Sequence, residues 1–198
     1  MTNHVTTRCT VRGPAEAVAA FRALMVVAVD PPRRPALASP VPGLLARLRG
    51  LVRGCEPGAA PPVAPPPVEP PLLAMDFDRI LPMPASLTAY PEQTAWLLEH
   101  WGTQRNAEAY TETAWHRDGT AVLEFCIATA WSFPAPVFAA LHGRFPTLSF
   151  DIVGFEEAWQ FAVAGIYGPG ETGPVEIEPT ADLYARVYGV PPEPGEEA

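Results

Sequence analysis

Four histidines, three cysteines and 22 acidic residues are the side chains here that could move protons, hold a metal or attack an electrophile. Their spacing argues against each use. His4, His100, His116 and His142 make no H-x-x-x-H or H-E-x-x-H pair, and Cys9, Cys55 and Cys126 make no C-x-x-C, so the ligand pattern of a zinc site is missing. Cys126 would need a nearby positive group to become a thiolate. It stands between Phe125 and Ile127 in a strand-like apolar run, which predicts an inert buried thiol. Glu156 and Glu157, with Glu124 and Asp151 on adjacent predicted strands, have the composition of an acid–base pair. On the outer face of a sheet such groups are ordinarily just solvated. The run Gly168-Pro169-Gly170-Glu171-Thr172-Gly173 lacks both the strand-to-helix context and the lysine of a phosphate cradle, and reads as a turn. No catalytic residue, metal site or cofactor is assigned, and the balance is against an enzyme.

Residues suited to binding are easier to name. Trp131 and Ser132 fall where a strand gives way to a helix. Free N–H groups there could hold an anion; alternatively Ser132 satisfies them itself and Trp131 plugs the core. Trp101 and Gly102 end a predicted helix and read as packing against a breaker. Arg8 and Arg12, with His4, Thr6 and Thr10, fall on the outer face of the first strand, a surface that could meet nucleic acid. Between residues 31 and 55 the chain holds five arginines and no acid. Within it, Leu44, Leu48 and Leu51 share one side of a possible short helix with Arg47, Arg49 and Arg53. Leu48, Leu51 and those three arginines are the predicted contacts with a protein partner, because a basic amphipathic helix suits an acidic groove. A membrane surface would suit it too, and ten residues rarely hold a helix alone.

The charge of −9 and pI near 4.9 repel phosphate backbones and disfavour the nucleic-acid reading. All 13 basic residues are arginine, as a GC-rich coding bias would also produce. The unpaired cysteines imply a reducing compartment. The opening Met-Thr-Asn-His-Val has no leader-like apolar stretch, and no apolar run is long enough to span a bilayer. The expectation is a cytoplasmic protein.

The elements that would position these residues follow from periodicity. Val5, Thr7, Cys9 and Val11 alternate as a half-buried strand. Gly13-Pro14 opens a helix whose stripe is Ala17, Val18, Phe21, Leu24, Met25 and Ala28. Thirteen of the 26 prolines lie between Pro31 and Pro71, so residues 30–74 read as a proline- and arginine-rich flexible insertion. A second helix spans 91–101, aligning Thr94, Leu97, Leu98 and Trp101. Strands at 109–116 and 121–129 flank the hairpin signal Arg117-Asp118-Gly119-Thr120. A helix over 134–144 turns Val137, Phe138 and Leu141 inward, and strands follow at 148–153 and 159–167. Thr180 caps a short terminal helix with Asp182 in its first turn, before a frayed acidic tail, the two filling 179–198. Two one-sided helices need one apolar floor, so 1–29 and 75–178 are expected to form an α+β ferredoxin-like domain with an extra edge strand.

The order of several motifs resembles the YubB ferredoxin-like family of phage- and plasmid-borne proteins. These are the first strand followed by Gly13-Pro14-Ala15-Glu16, then Phe77-Asp78-x-Ile80-x-Pro82-Met83-Pro84, Trp101-Gly102-Thr103, and Thr129-Ala130-Trp131-Ser132 with Pro134 and Pro136. Phe145-Pro146 and Phe155-Glu156-Glu157 continue the likeness. The chain departs from it in Gln104-Arg105-Asn106, where the family tends to carry a basic residue and a tryptophan, in Phe133 before Pro134, and in the long insertion. The resemblance implies a fold and a mobile-element setting, and supplies no catalytic residues. The resulting expectation is a small non-enzymatic protein that binds a host or element protein. The alternatives are nucleic-acid binding through the sheet and an enzyme on a small phosphorylated or nucleotide ligand near Trp131.

Overall fold

The computed structural model describes residues 3–29, 72–118, 120–193 and 195. The alternating start becomes β1 (His4–Pro14), with Val5, Thr7, Cys9 and Val11 buried. Pro14 has no N–H to leave unpaired and caps α1 (Ala15–Met25), whose buried residues are Val18, Phe21 and Met25. The helix stops sooner than its apolar stripe suggests. Val26 and Val27 are β-branched and extend as β2 (Val26–Val29), so Ala28 is exposed on a strand, not on the helix. β2 pairs with β3 (Leu72–Met75) in a two-stranded ribbon absent from the sequence expectations. The chain divides into two units, residues 1–27 with 73–198 and residues 28–72.

A short 3₁₀ turn (Phe77–Arg79) leads to α2 (Tyr90–His100). None of its residues is fully buried, and Leu98 is 44% exposed, outside the stripe assigned to it. Trp101, just past its end, is buried against Phe77 with ring centroids 5.7 Å apart. β4 (Ala109–Asp118) and β5 (Thr120–Ala130) form the expected hairpin, with a bulge between Glu112 and Ala114. α3 (Ala135–Arg144) buries Val137, Phe138 and Leu141. β6 (Ser149–Glu156) and β7 (Ala162–Tyr167) follow, then β8 (Val175–Ile177), which periodicity missed because it is only three residues long. The chain ends in α4 (Ala181–Tyr188).

The six-stranded sheet has the order β4-β5-β1-β6-β7-β8, and every neighbouring pair is antiparallel. On one face Phe21 of α1 meets Phe125 of β5 and Phe150 of β6, at 6.1 and 5.5 Å, and Leu141 of α3 belongs to the same buried cluster. Two helices thus share one floor. The opposite face carries a second, smaller cluster of Val153, Phe155, Ala162, Leu183 and Val187. The terminal helix builds it. Thr180 Oγ1 accepts from Leu183 N, Gly189 closes the helix in the left-handed region, and the i, i+4 pair Leu183 and Val187 is pressed onto the sheet.

Candidate functional site

Strand parity decides what the outer face presents. With Cys9 and Val11 turned to the core, Thr6, Arg8, Thr10 and Arg12 point the other way. Thr10 stands opposite Glu124 on β5 and opposite Asp151 on β6. One row along, Arg8 stands opposite Cys126 and Val153. The rim comes from α4, whose Arg186 O accepts a hydrogen bond from Arg8 Nη1 at 2.9 Å. Arg8, Thr10, Glu124, Asp151, Val153 and Arg186 line an open groove of about 310 Å³.

Its charges are only partly paired. Arg12 lies 3.6 Å from Asp151 at the margin. Among the described residues Glu124 has no cationic partner, and neither Arg8 nor Arg186 has a carboxylate. Arg8 Nε is buried without an acceptor, a position that costs free energy unless something completes it. Cys126 is half-buried beside Arg8 on this outer face, not sealed in the core. Burial pushes its thiol up, Arg8 draws it back and Glu124 raises it further, so it stays a thiol at neutral pH. Cys9, fully buried on the core side, is raised well above the usual range by burial first and Asp151 next.

Trp101, Gly102, Trp131 and Ser132 meet elsewhere, as a joint. Ser132 Oγ donates to Gly102 O at 2.5 Å, and Trp101 Nε1 donates to Leu81 O at 2.8 Å. Gly102 has φ 74°, and a Cβ there would sit 2.8 Å from Pro136 Cδ. Ser132 does not cap α3, whose N-cap is Pro134. Nor does Trp131 plug the core. It is 44% exposed, in the left-handed region at φ 69°, and its N–H donates to Asn3 O. Trp101 fills the role assigned to Trp131.

The four carboxylates also separate. Glu124 and Asp151 share the groove, but Glu156 is buried, accepting from Asn3 Nδ2, Ala158 N and Gln160 N at 2.8, 3.0 and 3.1 Å. It holds the β6–β7 turn closed and is no solvated surface group. Glu157 accepts from His4 N at 3.0 Å, while His4 Nε2 lies 2.7 Å from Glu108. Among the described residues no three His, Cys, Asp or Glu side chains are placed to hold a metal ion, and no helix is long and apolar enough to cross a membrane. Arg47, Leu48, Arg49, Leu51 and Arg53 lie outside the described residues.

Sequence reasoning found Arg8 and Arg12 but missed Arg186. The signal was present: a capped segment with Leu183 and Val187 on one side predicts a docked helix, and the residue before Val187 then lands at its edge. No family model, curated protein or solved structure matches the chain.

Proposed function

We propose that this is a non-catalytic binding protein whose working surface is the outer face of the β4-β5-β1 half of the sheet. One observation carries the reading. Val153, Phe155 and Ala162, facing outward from β6 and β7, are buried, whereas the outward residues of β1 and those of β5 from Thr120 to Ala128 are all at least partly exposed, Ala130 at the end of β5 being the buried exception. The open half is a plain of small and polar groups (Thr6, Thr10, Thr111, Cys126, Ala128) bordered by the mixed-charge groove. Such a surface suits a protein segment carrying both acidic and basic side chains. The strand order and the two helices on one face support a ferredoxin-like domain extended by β7 and β8. The motif order supports kinship with the YubB proteins and so a mobile-element partner.

Nucleic acid is the weaker reading. A phosphate backbone laid along Arg8 and Arg12 would meet Glu124 and Asp151 between them, and Arg12 already has a carboxylate beside it. The test is capture from the lysate of the source cells by the immobilised chain, compared with a Glu124→Arg, Asp151→Arg double variant. A protein held by the natural chain and lost by the variant supports the proposal. Capture of nothing, or equal capture by both, ends it. A salt-sensitive gel shift with single-stranded RNA would favour the other reading.

A further inference from the structure

The charges in the groove are laid out in two rows. Arg8 and Arg186 line one end, joined through the Arg186 backbone carbonyl and with no carboxylate on either guanidinium among the described residues, and Glu124 and Asp151 flank Thr10 at the other. Two residues along a strand set the rows about 7 Å apart. An α-amino acid separates its carboxylate from its ammonium by about 3 Å, and a hydrogen bond of about 2.8 Å at each end brings the span to roughly 9 Å, a little more than the backbone spacing of the rows and within reach of the long arginine and glutamate side chains. We propose that the groove is a binding site for a free α-amino acid, with its carboxylate at Arg8 and Arg186, its ammonium at Glu124, and an apolar side chain against Val153. The proposal goes beyond partner docking and does not depend on it.

Each feature fits that ligand better than a simple ion. A lone anion would leave Glu124 unpaired and repelled, and a lone cation would do the same to the two arginines. Asp151 is already engaged by Arg12 at 3.6 Å, which leaves Glu124 as the principal acceptor. Arginine matches a carboxylate with two parallel N–H groups, and Arg8 now spends one nitrogen on a single helix carbonyl while its Nε has no acceptor. A carboxylate at the rim gives the Arg8 guanidinium a charged acceptor, which it lacks among the described residues. The volume of about 310 Å³ is at the small end of ligand sites.

The experiment titrates the ¹⁵N-labelled full chain with L-leucine and follows backbone amides. N-acetyl-L-leucine and L-leucinamide keep the side chain and remove one charge each. The expected result is saturable shifts at Arg8, Thr10, Glu124 and Arg186, with both single-charge analogues about tenfold weaker or worse. Arg186→Gln and Glu124→Gln alter exposed or half-exposed side chains that make no hydrogen bond or ion pair among the described residues, and each is expected to weaken leucine about tenfold. Absence of saturable shifts overturns the site. So does equal binding of N-acetyl-L-leucine, which would mark a plain anion site, or an unchanged affinity in both variants. Because only purified protein and leucine are present, the outcome is independent of whether any protein partner is captured.

Discussion

Trp131 and Trp159 are the two described non-glycine residues with positive φ, at 69° and 57°, yet the fold treats them differently. Trp159 is stacked on Tyr184 at 5.5 Å and edge-on to Phe155 at 4.8 Å, so aromatic packing offsets its backbone strain. Trp131 has no such packing and projects 44% exposed. Glycine tolerates that conformation, so Trp131→Gly should leave stability within about 1 kcal/mol. Trp159→Gly should lose about 2 kcal/mol or more of packing. Urea unfolding of the two variants checks the contrast, and equal losses would refute it. The cysteines give a second prediction at this scale. With both thiols raised, Cys9 and Cys126 should react with a disulfide reagent at pH 8 far more slowly in the native than in the unfolded chain. Fast native labelling of Cys126, followed by mass spectrometry, would contradict its assignment.

Among the elements, α4 is the one whose role changes most between sequence and structure. An eight-residue helix cannot persist unaided. It holds through Leu183 and Val187, the stacking of Tyr184 on Trp159 and the bond from Arg8 to Arg186 O. Its cluster is separate from the main core, so Val187→Ala should release α4 without unfolding β1 or β5. Hydrogen exchange should show lost protection at Ala185–Tyr188 and retained protection at Val5–Val11; loss at both would mean a single cooperative unit. The larger elements were legible because their periodicity is strong: β1 alternates from Val5 to Val11, and Val18, Phe21 and Met25 in α1 and Val137 and Leu141 in α3 recur at helical spacing. The groove was not legible. It depends on which β6 residue faces Thr10 and on where α4 lands, and both are set by register across more than a hundred residues of chain.

Across the whole molecule, three of the five tyrosines sit at three different joints. Tyr110 donates to Glu112 Oε1 at 2.8 Å, and Glu112 in turn accepts from Arg22 Nε of α1 at 2.6 Å, tying the β4 edge to the helical layer. Tyr167 lies between β7 and α3, stacked near His142. Tyr188 belongs to α4 on the far face. Burial is the main cause that raises all three phenols, and for Tyr110 the bond to Glu112 adds to it. A raised folded pKa means the native state keeps protons that the unfolded chain gives up from about pH 10 upward. The stability contributed by these groups is therefore complete below about pH 10 and declines as pH rises beyond it. The part of the phenolate absorbance owed to these three should accordingly appear at higher pH in the native than in the unfolded chain. Tyr110→Phe removes the hydrogen bond and should cost about 1 kcal/mol at neutral pH. It also removes one linked proton, so its stability should fall less steeply above pH 10 than that of the natural chain. An unchanged slope would show that the Arg22–Glu112–Tyr110 chain does not couple the sheet edge to the helix above it.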